Sequence, residues 1–290
     1  MGGHVARSAG IPTARIPQAR DIVADYEKHQ RWPDVVTKKI ARHFLHPLRP
    51  SPRRFLFLGT ATGLNDALPV ARISDPRDRI LAVDIEDRFL QRLRDHGRAE
   101  GLANVNALKR DVTEDLSVLG KFDLVTLLFV IHRLKNWKRA VKRLMDRVAP
   151  GGSFYASEFA GPSGVIHLAN EKGGNARNPI ARLLRRYFDL ASTAFDPELK
   201  SSSIRPVLDL IGGALQAAGH RDFAWRQTLT VGDVFEKIEA RAYAPFWSSD
   251  RETLALNRLR AEFLREWKRR LVLVETIRIY RFVRREATSR

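Results

Sequence analysis

The stretch Phe55-Leu56-Phe57-Leu58-Gly59-Thr60-Ala61-Thr62-Gly63 runs from an apolar, strand-like segment into a turn of small residues. A helix is expected to follow from about Leu64. Small residues let the backbone approach a ligand closely, and a helix N-terminus adds inward-facing N–H donors. A carboxylate or phosphate could sit in such a turn. Asp84 closes the next apolar run about twenty residues later, the spacing at which a carboxylate can accept ribose hydroxyls in a doubly wound sheet. Asp111 closes the third run, near where an adenine would lie. Either aspartate read alone is an ordinary helix N-cap; taken with the turn, both read as parts of one ligand site. Two groups could take up a proton beside it. His132 follows the fourth apolar run and titrates near neutrality, and Glu158 ends the fifth. A packing or capping role for His132, and an exposed or capping role for Glu158, stay open. Tyr26, His29 and Trp32 could form a lid, or Tyr26 and Trp32 could dock their helix.

These residues need elements that bring them together. Short apolar runs at 54–58, 80–83, 104–108, 122–130 and 152–157 alternate with helical patterns at 87–96 and 137–148. That alternation predicts a parallel α/β sheet with right-handed crossovers. Asp21 to Phe44 reads as helical. Gly161 to Asn178 reads as a long loop, and 180–190 as a basic amphipathic helix. Ile204 to Ala218 reads as a helix closed by Gly219. A sixth strand is expected over 222–230, helices over 231–242 and 252–267, and a final strand over 271–283. No internal repeat is visible.

Composition narrows the chemistry. With no cysteine among 290 residues, disulfides, Cys-ligated zinc, iron–sulfur clusters and cysteine nucleophiles are excluded, and no metal site is expected. No apolar run reaches the ~18 residues that cross a bilayer, and no secretory signal is visible at the start. These features point to a cytoplasmic protein without a membrane partner. The net charge of +18, from 51 Lys and Arg against 33 Asp and Glu, raises a nucleic-acid partner. The basic residues recur in nearly every segment rather than in blocks, which favours a generally Arg-rich surface.

The motifs FLFLGTATG (55–63), ILAVDIEDRFL (80–90), NVNALKRDV (104–112), KFDLVTLLFVIHRL (121–134) and RLMDRVAPGGSFYASEF (143–159) occur in this order. As an ordered set they resemble class I S-adenosylmethionine-dependent methyltransferases of the small-molecule branch. The resemblance implies a Rossmann-like doubly wound sheet of about seven strands, the last antiparallel. A helical segment (1–53) would precede the cofactor-binding core (54–160). A lid insertion (161–203) and a C-terminal part (204–290) with a helical insertion (231–267) would complete a single structural domain. It implies that Gly59, Thr60, Ala61 and Gly63 cradle the methionine part of S-adenosyl-L-methionine. Asp84 would hold the ribose hydroxyls, Ile85, Asp111 and Val112 would flank the adenine, and Phe129 would lie beside the cofactor.

Two positions depart from the family. An acidic residue is usual where this chain has Phe57, and a glycine where it has Ala61. Phe57 cannot bond the cofactor's amine, and Ala61 disfavours a positive φ. The expected function is methyl transfer to a small-molecule acceptor by in-line displacement. The alternatives are an RNA or other nucleic-acid methyltransferase and a binding protein that kept the fold without the reaction. The Asn/Asp-Pro-Pro-aromatic motif used for base amino groups is absent after the fourth run, which reads Phe129-Val130-Ile131-His132.

Overall fold

The computed structural model describes residues 21–48, 50–131, 134, 136–159, 167–169, 204–230, 233 and 271–286. Six α-helices and eight strands lie within them. The strands are β1 (Arg54–Leu58), β2 (Arg79–Asp84), β3 (Val105–Lys109), β4 (Phe122–Leu127), β5 (Val148–Phe159), β6 (His167–Ala169), β7 (Gln216–Leu229) and β8 (Leu271–Val283). The helices are α1 (Ile22–Gln30), α2 (Asp34–Leu45), α3 (Ala67–Ala71), α4 (Asp87–Ala99), α5 (Trp137–Met145) and α6 (Arg205–Gly212).

β3, β2, β1, β4 and β5 are parallel neighbours in that order. β8 then pairs antiparallel to β5, as the sequence predicted for the last strand. β7 occupies the whole of one edge of β8, from Gln216 opposite Val283 to Leu229 opposite Leu271. β5 and β6 share the other edge, at residues 277–283 and 272–274 respectively. The eight strands therefore fill seven positions, with β6 continuing the line of β5. The expected seven-stranded width holds, and the additional short strand falls inside the stretch 161–178 that was read as loop.

Side-chain alternation divides the core into two layers. Phe55 and Phe57 of β1 join one cluster with Ile40, Ala41 and Phe44 of α2, while Leu56 and Leu58 join the other with Val141 and Leu144 of α5 and Val207 and Ile211 of α6. Both faces of β1 are thus covered, which is why it reads as a continuous apolar run rather than an alternating one. In α2 the buried positions Val36, Thr37, Ile40, Ala41 and Phe44 form one helical stripe.

Several boundaries differ from the sequence reading, each for a local reason. The segment 21–44 is two helices, because Pro33 has no N–H to continue α1 and biases Trp32 toward extended backbone. The helix after the Gly59–Gly63 turn begins at Ala67 rather than Leu64, with Asp66 as its cap. β4 stops at Leu127, short of 130, and Phe129 lies at φ +54°. α5 ends at Met145, and Val148 already belongs to β5. The helix from Arg205 ends at Gly212 instead of Ala218. Gln216 starts β7, and Gly219, at φ +96°, sits within the strand at a register shift between Ala217 and His220. The helices read at 180–190, 231–242 and 252–267 lie outside the described residues, apart from Asp233. Among the described residues no helix is long and apolar enough to cross a membrane.

Candidate cofactor site

Strand order reverses between β1 and β4, and the crevice at such a reversal opens at the carboxyl ends of the strands. The turn Gly59–Gly63 leaves β1 at that point. Gly59 takes φ +62°, Ala61 +49° and Gly63 +72°. Three left-handed residues within five fold the chain back on itself, and the Gly59 N–H donates to Val83 O at 2.8 Å. Ala61 therefore adopts the conformation that its methyl group disfavours. What holds it there is Asp84: the Ala61 N–H donates to Asp84 Oδ2 at 2.8 Å in a buried setting. The Glu86 N–H donates to Asp84 Oδ1 at 3.0 Å. Asp84 is buried at the end of β2, and these two contacts place one backbone donor on each of its oxygens. Relief of the strain is measurable. Ala61→Gly is expected to stabilise the fold by about 0.5–1 kcal/mol, the left-handed cost less the extra freedom of glycine in the unfolded chain. A lower urea midpoint for the variant would show instead that packing of the Ala61 methyl outweighs the strain.

The structure brings together several of the expected residues. Register pairs Asp84 with Lys109, and the Arg110 N–H donates to Asp84 O at 3.0 Å, so Asp111 emerges beside Asp84. Asp111 Oδ1 accepts from the N–H and the hydroxyl of Thr113, both at 2.8 Å, a local turn that fixes the carboxylate. Ile85 is 63% exposed at the rim, available as a flat apolar surface. Val112, in contrast, is buried on the α5 side of the core. Phe129 is half-buried at the end of β4, and its N–H donates to Ser157 Oγ at 3.2 Å.

Of the three lid candidates, Trp32 reaches the crevice. Its ring stands edge-on to Phe129 at 5.7 Å and lies 6.3 Å from Trp225 of β7. Its N–H donates to Asn65 Oδ1 at 2.9 Å, and Asn65 Nδ2 donates to Gln30 O at 2.9 Å. Asn65 so clips the α1–α2 link onto the turn after β1. Tyr26 packs α1 on Phe89 of α4 with ring centroids 5.1 Å apart, and His29 is half-buried on the same helix. Of the two proton-acceptor candidates, His132 lies outside the described residues. Glu158 Oε1 accepts the Tyr280 hydroxyl proton. Strand alternation puts this pair on the α5 and α6 face, the opposite face from Trp32 and Trp225.

Three residues of the site were not singled out from sequence: Thr62, Asn65 and Asp66. Thr62 Oγ1 is buried without a hydrogen-bond partner among the described residues. Asp66 is buried, and its Oδ1 accepts from Thr60 Oγ1 and from the Ala67 N–H, both at 2.6 Å. Burial pushes the Asp66 carboxyl up to about 7, with the Asp84 charge adding to it and the Thr60 and Ala67 bonds opposing it. The available sequence signal was the polar pair Asn65-Asp66 ahead of the apolar run 67–71, with Pro69 in the first turn. Phe57 is fully buried, with its ring 6.4 Å from Phe44. An acidic side chain at 57 would meet that apolar cluster.

Comparison with known proteins agrees with this geometry. A family model described as a methyltransferase domain matches residues 56–154. Residues 56–154 thus match a methyltransferase domain. Over 115 residues the chain is 30% identical to the demethylmenaquinone methyltransferase of Thermus thermophilus, spanning 40% of this chain and 51% of that protein. The match thus covers about half the length of this relative. Among solved structures, a putative type II methyltransferase from Anaeromyxobacter dehalogenans superposes with a TM-score of 0.55 at 14% identity, covering 89% of this chain and 98% of that one. The [4+2]-cyclase SpnF superposes with a TM-score of 0.51 at 13% identity, covering 88% and 82%. At such identities these structures speak to the fold of the methyltransferase domain alone.

Proposed function

We propose that the chain transfers a methyl group from S-adenosyl-L-methionine to a small-molecule acceptor. The observation that carries the reading is the fixed Asp84 carboxylate beside the left-handed turn at the strand-order reversal. Its partners at Ala61 and Glu86 orient both oxygens before any ligand arrives. The residues present fit the cofactor. Thr62 offers a buried hydroxyl with no partner among the described residues, Asp66 a buried carboxylate, and Ile85 an exposed apolar face. Asp84 would hold the ribose hydroxyls, with Ile85 and Asp111 beside the adenine. Bound there, S-adenosyl-L-methionine supplies an electrophilic methyl group on a sulfonium centre.

The chain's own contribution is alignment and exclusion of water, the main requirements of an in-line displacement. The β7–β8 ribbon extends past the end of β5 at the crevice side, since β8 residues 271–276 lie beyond the last β5 pair at Ile277. Trp225, opposite Glu275, stands on that extension. With Trp32 and Phe129 it makes an aromatic wall near the end of β4, suited to an apolar or planar acceptor. The insertions 161–203 and 231–267 would cover the acceptor, and His132 would take up a proton where the acceptor carries one. A small organic acceptor is also in keeping with the relative named for demethylmenaquinone methylation.

The test is calorimetric. Wild-type protein is expected to bind S-adenosylhomocysteine, and Asp84→Ala to lose about 100-fold or more in affinity, the worth of two hydroxyl bonds to a charged acceptor. Absence of wild-type binding at millimolar ligand would sink the reading. The charge of +18 favours a second one, methylation of RNA. Tight RNA binding that weakens steeply with salt would move the assignment there.

A further inference from the structure

The family position for a carboxylate near the cofactor's amino group is filled in this chain by a core phenylalanine. Phe57 packs against Phe44 under α2, so no acidic group can act from β1. Yet the turn after β1 still holds a buried carboxylate, Asp66, six residues beyond Thr60. We infer that Asp66 is the counter-charge for the positively charged amino group of the ligand's methionine portion, in place of the residue at position 57. The inference rests on the cofactor reading above and assigns to it a residue from a different element.

Four observations support it. First, the Asp66 carboxyl is met by neutral donors: Oδ1 accepts from Thr60 Oγ1 and the Ala67 N–H, and the residue's own N–H adds a backbone contact. Among the described residues no lysine, arginine or histidine pairs with it. A buried carboxylate without a cation is costly, and capping does not require one, because Ser, Thr or Asn caps a helix without a charge. Second, the charged group whose field reaches Asp66 among the described residues is Asp84 on β2, which is also acidic. Two carboxylates flank adjacent residues of one turn, Asp66 at Thr60 and Asp84 at Ala61. The turn is thereby set for a cation. Third, Thr62 in the same turn keeps a buried hydroxyl without a hydrogen-bond partner among the described residues. A ligand with both a donor and an acceptor end would answer it. Fourth, Asn65 next to Asp66 is tied to Gln30 O and to the Trp32 N–H, which fixes the backbone that carries Asp66 against the α1–α2 link.

At neutral pH a proton and the ligand's ammonium compete for this carboxylate, since burial pushes it up to about 7. The neutral groups on it, Thr60 and Ala67, do not titrate. Affinity for an amino-bearing ligand should therefore rise with pH through that range.

The experiment compares two ligands by calorimetry on the full chain. S-adenosylhomocysteine carries the amino acid portion, whereas 5′-methylthioadenosine lacks it and keeps the ribose and adenine. Wild-type affinity for S-adenosylhomocysteine should rise about tenfold from pH 6 to pH 8, as expected for a group half-ionised near 7, while 5′-methylthioadenosine shows no such rise. Asp66→Asn keeps the acceptor oxygen for Thr60 and removes the charge. It should lose about 10–100-fold in affinity for S-adenosylhomocysteine, with the pH rise abolished and 5′-methylthioadenosine binding unchanged. Equal weakening of both ligands, or of neither, would overturn the inference. A wild-type pH profile that is the same for both ligands would overturn it without any variant. If wild-type protein binds neither ligand, the cofactor reading itself has failed, a result distinct from these.

Discussion

Gly59→Ala is expected to destabilise the protein by about 2–5 kcal/mol, combining a left-handed cost of about 1–2 kcal/mol with overpacking of about 1–3 kcal/mol. An added Cβ at Gly59 would stand 2.1 Å from Val130 Cγ2, 3.0 Å from Cγ1 and 3.1 Å from Cβ. Rotating Val130 moves the two methyls but leaves its Cβ in place, so no rotamer clears the contact. The requirement for glycine here is thus set by the chain that leaves β4 as well as by φ +62°. Urea unfolding reads the loss directly. Adding Val130→Ala to Gly59→Ala should recover part of it, because the two methyl contacts disappear while the tight Cβ contact and the backbone share remain. A Gly59→Ala variant within about 0.5 kcal/mol of wild type would contradict the packing. Since the turn and the end of β4 form the crevice together, cofactor binding should fall along with stability.

The second large effect is expected at the opposite end of the same strands. Asp78 has no exposed side-chain surface, and Arg53 is 12% exposed. Asp78 accepts from the Arg53 N–H at 2.8 Å, from Nε at 3.2 Å to both oxygens, and from Nη2 at 2.6 Å; the Asp75 N–H adds a contact at 3.2 Å. The pair locks the entries of β1 and β2, where the Arg79 N–H also donates to Arg53 O at 2.8 Å. Asp78→Ala should cost about 3–5 kcal/mol, because a largely buried guanidinium loses its counter-charge and two backbone donors lose their acceptor. Replacing Arg53 by Met in the same chain should return a good part of that loss. A cost below about 1 kcal/mol for Asp78→Ala would mean that water reaches the pair. Because this pair lies far from the crevice, ligand affinity of the folded variant should be unchanged, which separates it from Gly59→Ala.

Much of the α/β core could be read before folding. β1 and β8 have the bounds their apolar patterns predicted, Arg54–Leu58 and Leu271–Val283. β1 is buried on both faces, and β8 alternates through Glu275, Ile277 and Ile279, so burial itself wrote the pattern into the sequence. The turn at 59–63 and the position of Asp84 at a strand end were equally legible, because small residues and a strand-terminal carboxylate are local features. The errors lay where local preference and tertiary pairing compete. Gln216-Ala217-Ala218 has a composition that suits a helix, yet the pair Gly212-Gly213 ends α6 and the free edge of β8 recruits these residues as strand. β6 was hidden because three residues among glycines and asparagines carry no period of their own; the exposed edge of β8 beyond β5 supplies their partner.

What the sequence by itself determined is the order of strands and helices, the left-handed turn and the carboxylate at the end of β2, since each rests on residue type and short spacing. Only the tertiary structure decided which carboxylates are buried against the turn. Phe57 became a core residue because α2 lays Phe44 against it, and Asp66 became a buried carboxyl bonded to Thr60 of the turn. The meeting of Trp32, Phe129 and Trp225 was likewise decided by packing, across nearly two hundred residues of chain. Burial is a property of surfaces brought together from distant segments, so no local pattern could announce it.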